Sequence, residues 1–300
     1  MPGTASAASS LASVALGLAA ATTWGGSDFV GGIAARRSPA LLVVASGHFV
    51  TLLLLLAACG VGHLPLPHRV EFLEGSLGGV EGSLALVIFY RALSMGAMGL
   101  TAALTGLLTA LVPVLFGLWS EGMPAPVASI GLLLGCIAIF LVCYTGRHSP
   151  GHNTPPLALL LGAISGTGFG LQLILLKLAA NDGVIWALTS ARLGGVLGMA
   201  AILLFAWPRH SRNDTAGGRE KRVWRGFWQI GILAGALDTA GNVGYTLAAH
   251  TGRLDLAAMV SSLYPGFTIL LAAILLRERP TGRQILGMAV ALASVVLLSL

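Results

Sequence analysis

The sequence predicts an all-α membrane protein in which ten transmembrane helices form two inverted five-helix repeats around a central cavity. The composition is 56% hydrophobic and only 9% charged, with a mean hydropathy of +0.87, whereas soluble domains carry about 25% charged residues. The apolar residues gather in ten stretches of about 20 residues, the helical length that crosses a bilayer core of roughly 30 Å. The first five stretches also resemble the last five.

The ten predicted spans are bounded by prolines, arginines and short polar segments. Arg-Arg-Ser-Pro at residues 36–39 separates the first two spans, and Leu-Pro-Leu-Pro at residues 64–67 precedes the third. The longest polar stretch, residues 208–225, follows the seventh. Continuous apolarity over about 20 residues predicts helices, because barrel strands would alternate over about 10 residues. The predicted spans are 11–34, 39–61, 71–93, 98–119, 125–145, 157–180, 184–207, 227–249, 255–276 and 282–300.

The two halves of the chain align with each other at an offset that grows along the sequence. Ser-Gly-His at residues 46–48 aligns with Ser-Ala-Arg at residues 190–192, and Phe-Tyr at residues 89–90 aligns with Gly-Tyr at residues 244–245. Because each copy has five spans, an odd number, the second copy must enter the membrane in the opposite sense. Inverted repeats of this kind build transporters, with the substrate site near the bilayer midplane. The predicted division is a single membrane domain with a first repeat at residues 1–146, an inverted second repeat at 157–300 and a connecting loop at 147–156.

The charge distribution predicts an orientation in the membrane and not a nucleic-acid partner. The formal charge is +6 and the pI is near 9.8, but Lys and Arg lie mostly in loops beside the apolar spans. Most of them follow odd-numbered spans, whereas Arg69, Lys177 and Arg253 lie near loops that follow even-numbered spans. Positively charged loops stay in the cytoplasm, so both termini are predicted to lie outside.

The three cysteines and the amino terminus carry no further signal. Cys59, Cys136 and Cys143 fall in apolar spans without a CxxC pattern or a histidine cluster, so we expect small hydrophobic side chains and not a disulfide or a metal site. The first ten residues contain no Lys or Arg, so a cleaved signal peptide is not expected.

Arg192 is the most informative polar residue in the predicted spans, because it lies near the middle of the seventh. An uncompensated guanidinium there costs about 3 kcal/mol or more, so it needs a partner. The candidate partners are Asp28, Glu81 and Asp238. Two interpretations stay open: an ion pair that only locks two helices together, or a cation whose planar fork attracts a substrate carboxylate. Its repeat counterpart His48 either relays a proton or bonds, uncharged, to a neighbouring helix.

The polar residues inside the spans match the needs of a small zwitterion. Such a solute requires an acceptor for its ammonium, a donor for its carboxylate and an apolar wall, and these are found together in one set. The predicted substrate-binding residues are Trp24, Asp28, His48, Glu81, Tyr90, Gln172, Arg192, Asp238, Asn242 and Tyr245. Helix packing is the alternative for this set, since Trp and Tyr are common near membrane surfaces.

Glycine and proline inside the spans predict close contacts and kinks. The chain has 41 glycines, and small residues four apart, as at Gly75 and Gly79, favour close helix packing. Flexing during transport is the alternative for these glycines. Pro113 and Pro265 lie inside predicted helices and are expected to kink them.

Two segments resemble the drug/metabolite transporter superfamily. Thr-Trp-Gly-Gly-Ser-Asp-Phe-Val at residues 23–30 resembles the Trp-Gly…Phe pattern of that superfamily's first helix. Residues 256–300, with Ser-Ser-Leu-Tyr-Pro, an apolar run, Arg-Glu-Arg-Pro and Gln-Ile-Leu-Gly, are similar to the close of an EamA-type repeat. The resemblance implies a ten-helix bundle around a central cavity and export of small solutes across a bacterial inner membrane, with amino-acid and metabolite exporters as the nearest likeness. His48 departs from the pattern, since the family usually carries Arg there.

The repeat and the resemblance together predict an inner-membrane exporter of small metabolites, amino acids first, that works by alternating access. Export of cationic drugs or other metabolites is the alternative, and a channel is a further one. Proton coupling and uniport both stay open. The predicted partners are a small-molecule substrate and membrane lipid, without nucleic acid, cofactor or metal, and a monomer is compatible with the sequence.

An enzyme is not expected. Ser46 and His48 would be a nucleophile and a base, but residues two apart face different sides of a helix. The sequence also lacks a serine elbow motif and an HExxH metal-ligand pair. The glycine-rich residues 165–170 have no preceding strand and no Lys-Ser/Thr, so nucleotide binding is not predicted.

Overall fold

The computed structural model describes residues 2–35, 40–93, 98–143, 156–210, 220–275, 277 and 280–299. Within these residues all regular secondary structure is helical, and no strand occurs. The predicted all-α class is therefore confirmed.

In the first half of the chain the described residues form five long helices, one over each predicted span. They are α1 (Pro2–Ala35), α2 (Ala40–Val61), α3 (Arg69–Leu93), α4 (Met98–Glu121) and α5 (Pro126–Cys143). Two local features explain where helices begin. Pro126 opens α5, since proline lacks the N–H that the first helical turn leaves unbonded anyway. Glu71 lies in the first turn of α3, where a carboxylate is favoured by the helix dipole.

The described part of the second half forms six α-helices and one short 3₁₀ helix. They are α6 (Pro156–Ala179), the 3₁₀ helix (Ala180–Asp182), α7 (Val184–His210), α8 (Glu220–Thr251), α9 (Leu254–Ser261), α10 (Tyr264–Leu275) and α11 (Gly282–Ser299). The turn between the 3₁₀ helix and α7 needs Gly183, whose φ of 109° is unfavourable for residues with a Cβ.

The predicted ninth span, residues 255–276, is not one continuous helix, because the helix is interrupted between α9 and α10. Pro265 has no N–H to donate to Ser261, and its ring would clash with that carbonyl in a continuous helix. Gly266 instead donates to the Leu263 carbonyl over 3.0 Å. Pro113 differs, since it lies within the continuous helix α4.

The chain is a multi-pass membrane protein. In the described residues seven segments are long and apolar enough to cross a bilayer, and the shorter apolar helix Pro126–Val142 accompanies them. The seven segments are Leu41–Val61, Arg69–Phe89, Leu104–Glu121, Pro156–Asp182, Val184–Leu204, Leu254–Leu275 and Gly282–Ser299. Helices α1 and α8 are not among the seven.

Each half of the chain packs mainly against the other half. Helix α1 packs on α8, α3 on α6 and α7, α2 on α7 and α8, and α5 on α11. Glycines make two of these contacts close. A Cβ at Gly79 of α3 would collide with the Ala191 carbonyl of α7, and one at Gly235 of α8 would collide with the backbone of Gly47 on α2. These glycines therefore serve close packing, as small residues do between membrane helices.

One end of the bundle is held by a network of charged side chains. We call it the even-loop end; it comprises residues 62–68, 122–125, 180–183 and 252–253. Glu121 of α4 pairs with Lys177 of α6 and accepts a hydrogen bond of 3.0 Å from the Leu254 N–H at the start of α9. Arg253 donates to the Glu121 carbonyl over 3.3 Å. These contacts join the two halves of the chain at this end.

An apolar cluster lies beside the even-loop end. Its buried members come from α1, α6, α7, α8 and α9, and they include Ala20, Leu173, Tyr245, Leu254 and Ala257. The Tyr245 hydroxyl is fully buried and donates to the Leu173 carbonyl over 2.8 Å. The cluster packs small and large side chains of both halves closely together in the interior of the bundle.

Candidate functional site

A cavity of about 390 Å³ lies between the two halves of the chain. Eight helices form its wall, four from each half: α1, α2, α3 and α4 from the first, and α6, α7, α8 and α10 from the second. Small-molecule sites commonly have volumes of about 300–1,000 Å³, so the cavity is large enough for a metabolite.

Seven of the predicted site residues line this cavity, although they come from five different helices. They are Trp24, Asp28, His48, Gln172, Arg192, Asp238 and Asn242. Contact of any of them with a substrate stays a prediction.

Arg192 is paired with Asp238, so one of the three candidate partners is its actual partner. Its Nη2 donates to Asp238 Oδ2 and, over 3.1 Å, to the Thr239 hydroxyl. Asn242, one turn further along α8, donates to the same Asp238 oxygen over 3.2 Å. The Arg192 side chain is 6% exposed and that of Asp238 is 35% exposed. The guanidinium is thus compensated at depth, as its burial requires, and the carboxylate edge faces the cavity.

Asp28 is the other carboxylate of the wall, and it is exposed to the cavity. It follows Trp24 by one helical turn on α1, so both side chains lie on the same face of that helix. The neighbouring Ser27 hydroxyl donates to the Ala234 carbonyl of α8 over 2.9 Å, which fixes α1 against α8 at this level. Within the described part of the chain, Asp28 has no ion pair.

His48 lies on α2 beside the Arg192 helix. Its Nδ1 is buried and has no hydrogen-bond partner among the described residues. Gly195 of α7 makes room for the ring, since a Cβ there would lie 2.6 Å from Nδ1. An imidazolium needs acceptors for two N–H groups, so this environment favours the neutral ring.

Aromatic side chains form two walls of the cavity. On one side the Trp24 and Tyr264 rings meet edge to face with their centroids 6.2 Å apart. On the other side Phe89 and Phe169 make a similar contact, also at 6.2 Å. Gln172 lies near the second wall, and Gly82 of α3 leaves space for its amide. The cavity therefore combines apolar faces with a few polar groups.

Three predicted site residues are not observed at the cavity wall. Tyr245 lies behind Trp24, with the ring centroids 5.9 Å apart, and its hydroxyl is already bonded to Leu173. Glu81 does not line the cavity; it packs against Gly168 of α6, where a Cβ would lie 2.9 Å from its Oε1. The side chain of Tyr90 lies outside the described part of the structure.

Several wall residues were not singled out from the sequence. Ser27, Thr109, Phe89 and Phe169 line the cavity, but each lies in an apolar stretch where small hydroxyl and aromatic side chains are ordinary. Ser27 carried a usable signal, because it lies directly beside Asp28 in the segment that resembles the superfamily. The two phenylalanines carried no such signal, because the sequence does not distinguish a phenylalanine that faces the cavity from one that faces lipid.

One group of possible metal ligands lies away from the cavity, at the even-loop end. Suitable atoms of His68, Glu71 and Asp182 lie within 4.8 Å of one another. The His68 ring and Asp182 already bond to each other, with Nδ1 2.7 Å from Oδ1. This hydrogen bond to Asp182 raises the pKa of His68 above its usual value. The group is therefore explained as a bond between the start of α3 and the 3₁₀ helix.

The comparisons with known proteins agree with this architecture. Residues 156–300 match the EamA-like transporter family. No curated protein matches the chain. One solved structure, described as "Crystal structure of protein", superposes with a TM-score of 0.69 at 19% sequence identity, covering 95% of this chain and 95% of that chain. At this identity the likeness shows the fold alone.

The cavity and the matched family point to the same class of protein. The EamA-like family is a family of transporters and not of enzymes, which implies a small-molecule substrate and a lipid environment. The protein is thus a multi-pass membrane protein whose residues 156–300 match the EamA-like transporter family.

Proposed function

We propose that this protein exports small metabolites, amino acids first, by alternating access through the central cavity. In this proposal ten membrane crossings form two inverted repeats, residues 1–146 and 157–300, joined by residues 147–156, and the protein lies in a bacterial inner membrane with both termini outside. The single observation that carries it is a cavity between the two halves whose wall combines Asp28, Arg192 and Asp238 with aromatic faces. Inverted-repeat transporters bind their substrates at such an interface.

The packing of the helices supports the repeat. If α1, α2 and α3 are exchanged for α6, α7 and α8, the observed contacts map onto one another. The contact of α1 with α8 becomes that of α6 with α3, and the contact of α2 with α8 becomes that of α7 with α3. The contact of α5 with α11 maps onto itself when those two helices are exchanged. This exchange symmetry is what a pseudo-twofold axis between the halves would produce.

The glycine contacts support the same axis at residue level. A Cβ on Gly75 of α3 would collide with the Ser190 hydroxyl of α7, and a Cβ on Gly231 of α8 would collide with the Ser46 hydroxyl of α2. Ser46 and Ser190 are the serines that the sequence alignment pairs. The matched family residues 156–300 also nearly coincide with the proposed second repeat.

The amino-acid assignment follows from the positions of charge around the cavity. A substrate ammonium would be accepted by Asp28 and by the exposed edge of Asp238. A carboxylate would bind to Arg192, since only its Nη2 is bonded to protein within the described residues. The faces of Trp24 and Tyr264 would contact an apolar side chain.

Export of cationic drugs is the second candidate, and Asp28 favours it, because this carboxylate has no cation beside it in the described structure. A larger aromatic cation would use the same carboxylate together with the Trp24 ring. The two candidates differ in whether amino acids compete for the site.

The test is counterflow in proteoliposomes. Labelled amino acid should enter faster when unlabelled amino acid has been loaded inside, because a carrier with bound substrate reorients across the membrane faster than an empty carrier. The rate of uptake should also saturate with the external concentration. Protein-free liposomes are the control. Uptake that rises linearly with concentration and ignores the internal solute would indicate a channel. Counterflow of organic cations without competition by any amino acid would favour the second candidate.

A further inference from the structure

The charges on the cavity wall do not balance. Its acidic and basic side chains are Asp28, Asp238, Arg192 and His48, and the buried Nδ1 of His48 has no partner among the described residues, which favours the neutral ring. With both carboxylates ionised, the described wall would have one net negative charge. Carboxylates inside a membrane protein need a compensating positive charge or a proton.

The carboxylate without a compensating partner is Asp28 and not Asp238. Asp238 bonds to Arg192 and accepts a hydrogen bond from Asn242, while Thr239 holds the same guanidinium nitrogen. These neighbours keep the pair together and neutral as a unit. Asp28 has no comparable neighbour within the described residues, and its side chain is exposed to the cavity.

The surroundings of Asp28 suit a cation that carries an apolar stem. Trp24 lies one turn away on the same face of α1, and the Tyr264 ring packs edge-on against it. A cation over the face of an aromatic ring is attracted by the ring quadrupole, most strongly for tryptophan. A carboxylate and an aromatic face together can bind an alkylammonium group and the chain that bears it.

We propose that the cavity selects solutes of net positive charge, and that among amino acids its preferred substrates are the dibasic ones, with Asp28 binding the side-chain ammonium. The proposal rests on the proposed function and narrows it. A dibasic amino acid carries two positive groups and one negative group, and the described wall carries two acidic groups and one guanidinium. The α-carboxylate then lies at Arg192 and the α-ammonium at the exposed edge of Asp238. Binding makes the site neutral.

The alternative is a proton on Asp28, which would make the empty wall neutral and remove the preference for cations. The two cases are distinguished by a pair of amino acids with chains of the same length. L-Lysine carries an ammonium at the end of its chain, and L-norleucine carries a methyl group there.

The experiment measures the affinity of the purified protein in detergent for L-lysine, L-norleucine and L-glutamate by calorimetry. Lysine should bind about ten- to hundredfold more tightly than norleucine, the factor expected from one charge-assisted hydrogen bond, and glutamate should bind most weakly. Asp28→Asn should weaken lysine binding more than norleucine binding and so remove the preference for lysine. Asp28→Glu keeps the charge and should retain the preference. Glu74→Gln removes a carboxylate outside the cavity wall and is the matched control.

Equal binding of lysine and norleucine by the wild-type protein, or a preference that survives in Asp28→Asn, overturns the proposal. Absence of binding by all three amino acids overturns it as well. If Asp28→Asn does not fold, the wild-type comparison alone decides. Counterflow separates this proposal from the transport function: equal counterflow of norleucine and lysine would retain transport and reject the cation preference. Binding of lysine that depends on Asp28 but gives no counterflow would retain the preference and reject transport.

Discussion

At the residue scale the main finding concerns Arg192. The sequence left two interpretations open, a helix lock and a receptor for a carboxylate, and the structure makes them compatible. Arg192 is bonded to Asp238 through one nitrogen, which joins α7 to α8. The other two nitrogens of its guanidinium group, Nε and Nη1, are not bonded to protein within the described residues. A cation held in place by such a pair is preorganised, so a substrate carboxylate need not order it.

We expect Arg192→Ala to abolish amino-acid counterflow and to lower stability by about 2 kcal/mol. Breaking a buried pair by removing one partner costs about 3–5 kcal/mol, and the loss is smaller here because Asp238 reaches the cavity. The double variant Arg192→Ala/Asp238→Ala removes both members of the pair and leaves neither alone, so it should unfold at a higher temperature than Arg192→Ala while still failing to transport. Thermal unfolding in detergent and counterflow measure the two effects.

Arg69→Ala at the exposed start of α3 is the control for this cycle, since it removes an arginine outside the cavity. Normal counterflow by Arg192→Ala would remove Arg192 from the site. A double variant less stable than both single variants would show that the pair does not interact as described.

At the element scale, close helix contacts depend on glycine. Gly75 and Gly79 let α3 approach α7, and Gly231 and Gly235 let α8 approach α2. Two bulky residues at such a crossing would separate the helices and open the wall of the cavity. The interpretation of these glycines as packing residues is therefore the one that the contacts support.

We expect Gly79→Ala to destabilise the protein by about 1–3 kcal/mol, the usual cost of overpacking, because the added Cβ meets the Ala191 carbonyl. Gly60→Ala is the matched control, since Gly60 also lies in a membrane helix but has nothing within 4 Å of the position of a Cβ. That control should be neutral or slightly stabilising, because alanine is the better helix former. Thermal unfolding of the two variants measures the difference, and equal effects would contradict the close α3–α7 contact.

The two prolines inside predicted helices have different effects on those helices. Pro113 and Pro265 look alike in the sequence, yet one lies inside a continuous helix and the other lies just after a break. A proline removes one backbone hydrogen bond in either setting. The presence of a proline alone therefore does not decide whether the helix continues.

At the scale of the whole molecule, the described residues join the two halves of the chain at the even-loop end. The Glu121 network holds this end together, and the apolar cluster around Tyr245 lies beside it. The cavity residues of α1, α2 and α3 lie beyond that cluster, toward the opposite end of each helix. The proposed alternating access would require a state in which the Glu121 contacts separate.

The proposed topology predicts which loops are accessible from outside the cell. In a variant without Cys59, Cys136 and Cys143, a cysteine at position 63 should react with a membrane-impermeant maleimide on intact cells. A cysteine at position 282 should react only after permeabilisation, because seven crossings separate the two positions in the proposal. Labelling of both from the same side would reject the ten-crossing arrangement, whereas exchanged labelling would reverse the orientation only.

The sequence determined the helical class and the positions of the long helices, because apolar length and the need to satisfy every backbone group in lipid leave no other choice. It also indicated most of the polar cavity wall, since polar groups in lipid are rare and conspicuous. Only the tertiary structure decided that Asp238 and not Asp28 or Glu81 pairs with Arg192, that Tyr245 lies behind the wall, and that Phe89 and Phe169 lie on it. Those outcomes depend on how far each helix is rotated about its axis. In these helices, apolar on nearly every face, hydrophobicity does not specify that rotation, and the packing of glycines and side chains does.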